Sequence, residues 1–180
     1  MTKRNVMIHI LTSRLTWGKE IFDALDEELD TEEAESEDAE AIPAGGEMPE
    51  PIELIMEGRL LTGSDRVELV YEESELSGME GSLTTIGFRR QEPGLISMLR
   101  TGLVNTALVF EEGKRHFCIY HTPFSDFEIC VYTRRVDNRL LTEGVITLDY
   151  LMEIHGAQAE HTRMTVTVRP LTDPPFGKPD

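Results

Sequence analysis

The sequence is poor in several things, and each shortage closes off a class of protein. Two cysteines in 180 residues cannot build a disulfide framework. No apolar run approaches the roughly 18 residues that a membrane-spanning helix needs. The start, Met1-Thr2-Lys3-Arg4, is basic, but the apolar stretch behind it is interrupted by His9 and lacks a small-residue cleavage site. A secretory signal is therefore not expected, and a cytoplasmic protein is. Basic residues are scarce as well: 17 Lys and Arg stand against 34 Asp and Glu, a formal net charge of −17. Phosphate backbones and anionic membrane surfaces both call for clustered Lys and Arg, so neither nucleic acid nor membrane is expected as a partner. A Gly-rich phosphate loop, a nucleophile elbow and a Cys-x-x-Cys pair are missing too, and no cofactor is expected.

The acidity is concentrated. Between Glu20 and Glu53 there are 15 acids and no Lys or Arg. Within that stretch Ile21, Phe22, Leu25 and Leu29 are spaced for one face of a short helix over Gly18–Asp30. Residues 30–51 then run through an acidic tract into Pro-Ala-Gly-Gly-Glu-Met-Pro-Glu-Pro. They hold too little apolar area to offset the entropy of ordering, so they are expected to be disordered. The segment 19–51 thus reads as a solvated insertion between two strands. The alternative is a helical cap of the kind some intracellular lipid-carrying barrels place between their first two strands, an analogy of position alone.

The remainder reads as strand after strand. Val6, Ile8 and Ile10 alternate within a first strand at Asn5–Leu15. Further strands are expected at 52–61, 66–73, 82–90, 95–101, 105–111, 115–121, 127–134, 144–154 and 162–169. Turns are expected at Thr62–Asp65, Ser77–Gly81, Gln91–Gly94, Glu112-Gly113 and Thr122–Asp126, with a looser stretch to Asn138 and a loop at His155–His161. About ten short strands with a turn every 8–12 residues make an all-β sandwich or barrel. Short connections favour an antiparallel up-and-down meander closing into a calycin- or lipocalin-like barrel of eight to ten strands. Such a barrel is wide enough to fill its own interior or to hold one small ligand. Residues 1–170 are read as a single barrel domain. The proline-rich 171–180 are read as a loose tail.

Few residues offer chemistry. Glu72 and Glu73 are neighbours in a strand, so they point to opposite faces and cannot act as an acid–base pair. Glu73 shares parity with Val67, Leu69 and Tyr71, which makes it the inward carboxylate if that apolar face is the interior. Arg100 shares parity with Ile96 and Met98 and would also be internal, although burial of Leu95 and Leu99 instead would turn it outward. An inward Arg100 beside an inward Glu73 is expected to form a pair, since neither charge is tolerated alone. The same arginine could anchor a small carboxylate, with Tyr71 or Tyr120 assisting. A hairpin centred on Phe124 would set Cys118 opposite Cys130, and Tyr120 opposite Glu128. That arrangement predicts two neighbouring buried thiols. His116 beside Cys118 matches no zinc spacing, so no metal is expected. His155 and His161 are read as the ends of one loop.

Several short motifs occur in order: Tyr71-Glu72-Glu73, Thr84-Thr85, Ser97-Met98-Leu99-Arg100-Thr101-Gly102, Phe110-Glu111-Glu112-Gly113, Tyr120-His121-Thr122-Pro123-Phe124, Gly144 with Leu148-Asp149-Tyr150, and Thr162-Arg163-Met164-Thr165-Val166. Residues 52–169 and the first strand together resemble the YwiB-like family of bacterial proteins, mostly from Firmicutes. The resemblance implies a calycin-like β-barrel and carries no activity, because the family is one of unknown function. The chain departs from it in the length of the acidic insertion and in Ser125, where a glycine is expected. The expected function is therefore a non-enzymatic barrel that takes a small apolar or carboxylate-bearing molecule, or a lipid-like one, inside. Tyr71, Glu73, Arg100 and Tyr120 would lie near its mouth. The alternatives are an interaction module using the barrel wall and the acidic insertion, and a small enzyme with a Glu/Arg site.

Overall fold

A computed structural model describes residues 1–16, 48–77, 79–103, 105–121, 126–154 and 157–171. The expected helix and cap, residues 30–47 of the expected disordered insertion, residues 122–125 of the expected Thr122–Asp126 turn, and all but one residue of the tail lie outside them. Ten strands follow one another: β1 (Thr2–Thr16), β2 (Ile52–Thr62), β3 (Arg66–Glu72), β4 (Leu83–Arg89), β5 (Glu92–Thr101), β6 (Thr106–Glu111), β7 (Arg115–His121), β8 (Asp126–Arg139), β9 (Val145–Ile154) and β10 (Ala157–Pro170). A single 3₁₀ turn at Glu75–Ser77 is the only helical element among the described residues. No described helix is long and apolar enough to cross a membrane.

Every neighbouring pair is antiparallel, and the sheet runs in the order β6-β5-β4-β3-β2-β1-β10-β9-β8-β7. The meander is thus complete on each side of β1, and the long β1–β10 ladder joins the two halves. Its edges, β6 and β7, meet at Asn105 and His121, which exchange backbone bonds of 3.0 and 2.9 Å. Beyond that bridge the two strands do not form a ladder. The tip of their hairpin instead folds onto β8, where Gly113 N donates to Thr133 O at 2.8 Å and Thr133 N to Lys114 O at 3.1 Å. The result is a nearly closed barrel with one open seam.

The interior follows from side-chain alternation. Ile8, Leu69, Ile86, Met98, Leu108, Phe110, Val131, Ile146, Leu148 and Val166 all point inward and are almost fully buried. They occupy the barrel rather than line a hollow. Gly58, on the inner face of β2, shows how full it is: a Cβ there would lie 2.3 Å from Ile8 Cδ1 and 2.8 Å from Val70 O. The position is glycine because Ile8 already occupies the space.

Several expected boundaries differ. The chain turns at Arg90-Gln91, not at Gln91–Gly94, and Pro93 and Gly94 lie in an irregularity where Phe88 faces Ile96 but Arg89 faces Glu92. A proline fits there because a bulge has no ladder bond for it to break. β8 runs straight through the supposed loose stretch, with a bulge between Thr133 and Arg135 that resets the alternation from Val131 and Thr133 to Val136. The later part of the expected His155–His161 loop is strand, since β10 begins at Ala157, which pairs with Ile154, while residues 155 and 156 lie outside the described residues. His161 lies within β10 on the outer wall, where Nε2 meets Asp149 Oδ1 at 2.8 Å.

Candidate functional site

One end of the barrel carries the polar interior. It is the end where β1 leaves, β2 returns, and β3 passes through the Glu75–Ser77 turn to β4. Strand parity sends Glu72 outward and Glu73 inward, and Glu73 N donates to Ser82 O at 2.8 Å just beyond β3. Arg100, the last residue but one of β5, faces Thr84 on one neighbouring strand and Thr106 on the other. Gly102 makes this close packing feasible. Its φ is 137°, and a Cβ would lie 2.8 Å from Ser82 Cα, so a side chain would push β5 away from the loop that holds Glu73.

Arg100 Nε lies 3.4 Å from Glu73 Oε1, with the side chains 12% and 3% exposed. Thr84 Oγ1 donates to the same oxygen at 2.6 Å. The expected inward pair therefore exists. It is incomplete, however. The Glu73 contact is the single ion pair of Arg100 among the described residues, and the buried Nε has no hydrogen bond of good geometry. Among the described residues, both contacts of the carboxylate fall on Oε1.

Two tyrosines complete the polar interior. Tyr71 pairs with Thr84 across β3–β4, and Tyr150 pairs with Thr162 and Thr133 across its own neighbours. Burial pushes the Tyr71 hydroxyl well above its ordinary range. The Glu73 charge pushes it further, against a smaller opposing pull from Arg100 and the Thr84 bond. Burial also raises Tyr150, and there Arg100 is the largest opposing influence. One guanidinium thus acts on both phenols. Arg14, opposite Thr162 on β1, lines the same hollow from the other side. Tyr120 is half-buried, its hydroxyl 4.0 Å from Met79 Sδ.

The space among Thr12, Arg14, Tyr71, Glu73, Met79 and Arg100 measures about 50 Å³. That is room for a few water molecules, far below the roughly 300 Å³ or more of a pocket for a drug-sized ligand. Larger depressions, of about 280 and 320 Å³, lie on the outer wall beside Val70 and Gly87.

The cysteine geometry is not as expected. β7 and β8 pair one residue out from the expected register, so Cys118 faces Ile129, Phe117 faces Cys130 and Tyr120 faces Phe127. The two thiols therefore lie on opposite faces of the wall, both free. Cys118 is inside, 4.0 Å from Thr106 Oγ1. Cys130 is outside, in a cluster where Glu153 bonds Arg115 at 3.2 Å and Arg115 lies 4.4 Å above the Tyr132 ring. His116 meets Glu111 at 3.3 Å, and no group of three His, Cys, Asp or Glu side chains suited to a metal occurs among the described residues.

The structure thus brings Tyr71, Glu73 and Arg100 together and sets Tyr120 at the rim. Sequence reasoning missed Arg14, Thr84, Tyr150 and Thr162. The signal was present, since all four share parity with the apolar interior residues of their strands, but threonine is too common in strands to attract notice.

Comparison with known proteins agrees with this architecture. Residues 39–166 match the profile of a family described as a domain of unknown function, DUF1934. The crystal structure of the ywiB protein from Bacillus subtilis superposes with a TM-score of 0.66 at 19% identity, over 94% of each chain. At that identity the likeness concerns the fold alone. No curated protein matches the chain.

Proposed function

The chain belongs to the DUF1934 family, a domain of unknown function, and from the chemistry of its own barrel we propose that it binds a small carboxylate-bearing molecule at the polar end. One observation carries the reading: Arg100, its guanidinium Nε buried, borders a small hollow and has, among the described residues, a single ion-pair partner and no hydrogen bond at Nε. Unsatisfied buried donors are costly, and a carboxylate oxygen is the acceptor that suits a guanidinium best. The threonine and tyrosine hydroxyls around it add neutral donors. The packed interior disfavours the wholly apolar or lipid-like cargo, because Ile8, Leu69, Phe110 and Leu148 already occupy the space it would need. Isothermal titration of the full chain with short carboxylates, formate to hexanoate, tests the proposal. Saturable one-site binding that disappears in Arg100→Met supports it, and binding that survives the substitution contradicts it.

A second reading rests on the outer wall. Leu95, Leu99, Phe117 and Ile119 are exposed across β5–β7, with Phe117 at 70%. Such a strip favours an interaction module. Light scattering of the full chain and of Phe117→Ser separates the two readings, since a surface partner or self-association would respond to Phe117 and a carboxylate site would not. A small-enzyme reading has less behind it, because Glu73 is committed through Oε1 to Arg100 and Thr84.

A further inference from the structure

The outer wall of β4–β7 carries a pattern of side-chain size that the carboxylate site does not use. Backbone pairing sets Gly87, Ser97 and Val109 side by side, and the register of the Asn105–His121 bridge carries that row on to Phe117. By the same register a second outward row runs through Thr85, Leu99, Ala107 and Ile119. None of these eight side chains is charged, in a chain of net charge −17. Phe117 stands 70% exposed, Ile119 50% and Leu99 46%. In the same row as Phe117, Gly87 and Ser97 floor a depression of about 320 Å³, walled by Leu95 and Val109 on one side and by Arg66 and Arg89 on the other. A protruding aromatic ring and a hollow thus share one face and one level of the wall.

We infer that a second copy of this chain docks here, in a twofold dimer whose axis runs along the strands between β5 and β6. This rests on the outer-wall reading above and names the partner. Such an axis lays β7 of one copy over β4 of the other, and β6 over β5. Each facing pair then sets a larger side chain on a smaller one: Phe117 over Gly87, Ile119 over Thr85, Leu99 over Ala107 and Val109 over Ser97. A twofold interface needs a surface complementary to itself, and interleaved large and small side chains are what let two sheets pack face to face. An uncharged strip suits this partner in particular, because two copies at −17 repel wherever their acidic surfaces meet. At the hairpin end Arg115 comes over Arg89. That end is balanced, since Glu153 holds Arg115 at 3.2 Å and Glu111 lies beside it on β6. Eight residues a side are few against the roughly 20–30 of a standard interface, so the dimer is weak and depends on concentration.

Sedimentation velocity of the full chain, from about 5 to about 500 µM, tests the inference. The wild type should move from monomer towards dimer across that range. Phe117→Ser removes the protruding ring, and Gly87→Leu fills the hollow at a position where a Cβ meets only ordinary contacts, at 3.5 and 3.6 Å. Each should weaken association at least about tenfold while circular dichroism stays unchanged. Mixed in equal amounts, the two variants should associate more tightly than either alone. The mixed pair keeps one Phe117–Gly87 contact and sets a small side chain against a large one at the other. If Gly87→Leu does not fold, Ser97→Leu blocks the same hollow and takes its place. A wild type still monomeric at about 500 µM overturns the second copy and leaves the strip to a different partner. Self-association that ignores Phe117→Ser overturns the strip as the contact, and a mixture no tighter than its components overturns the twofold pairing.

Discussion

Breaking the Glu73–Arg100 pair one partner at a time, and then both together, should show how far this charge pair couples to stability. Removing one member of a buried ion pair costs roughly 3–5 kcal/mol, because the other charge is left in a medium that cannot solvate it. Arg100 retains 12% side-chain exposure, and Gln at position 73 could still accept from Thr84, so Glu73→Gln should fall at the low end, about 3 kcal/mol. Arg100→Met strands a carboxylate that is only 3% exposed, with Thr84 as its remaining partner, and should cost more, about 4–5 kcal/mol. The double variant buries two neutral side chains of similar size and should cost about 4–6 kcal/mol, less than the sum of the two single losses. The coupling energy between the two sites should therefore be about 2–3 kcal/mol. Urea unfolding supplies the free energies. A parallel calorimetric scan should show each single variant lowered by about 10 °C, at roughly 2–4 °C per kcal/mol for a chain of this length. Additive single effects, with coupling below about 0.5 kcal/mol, would refute the reasoning.

Other consequences can be checked independently. Gly58→Ala should destabilise by about 1–3 kcal/mol, since its Cβ meets Ile8 Cδ1 at 2.3 Å; combining it with Ile8→Val should regain part of that, and a neutral Gly58→Ala would mean that the interior has slack. Tyr71 and Tyr150 are neutral in the fold with hydroxyls raised above the ordinary value of about 10. The stability this contributes is complete below that pH and is lost as pH rises through and beyond it. Absorbance at 295 nm should accordingly show two of the four tyrosines ionising only as the protein unfolds in alkali, and all four titrating together near pH 10 in the native state would contradict the burial. Burial raises both thiols, Cys130 with added opposition from Glu153, so both should react slowly with iodoacetamide at pH 8. Under oxidation no Cys118–Cys130 disulfide should be found by non-reducing mass spectrometry, because the two lie on opposite faces of the wall.

How much of this was legible depended on whether the signal had a period. Alternation in β1 and β3 was enough to turn Ile8, Leu69 and Glu73 inward, and short connections were enough for the meander; in β5, apolar residues on both faces left Arg100 able to point either way. A chain that breaks its own period was misread. The bulge at Thr133–Arg135 shifts parity inside β8, so the apolar Val136 appeared out of phase and the strand was cut short. A one-residue difference at the β7–β8 connection moved Cys130 to the other face of the wall, which is the general hazard of a period of two. The open β6–β7 seam was not foreseeable from Glu112-Gly113, because that hairpin tip is also bound by β8, through Gly113 and Lys114 to Thr133. Parity alone could turn Arg14, Thr84, Tyr150 and Thr162 inward, but that they gather at one end follows from pairings of residues distant in sequence.

The central claim is that any small ligand enters the polar end and not the packed core or the outer wall. Backbone amide shifts of the labelled full chain, followed by two-dimensional NMR during titration with hexanoate, test it most directly. The account predicts saturable shifts gathered at Thr12, Arg14, Tyr71, Glu73, Thr84, Arg100, Tyr150 and Thr162. Shifts confined to Leu99, Phe117 and Ile119, or none up to millimolar ligand, would contradict it.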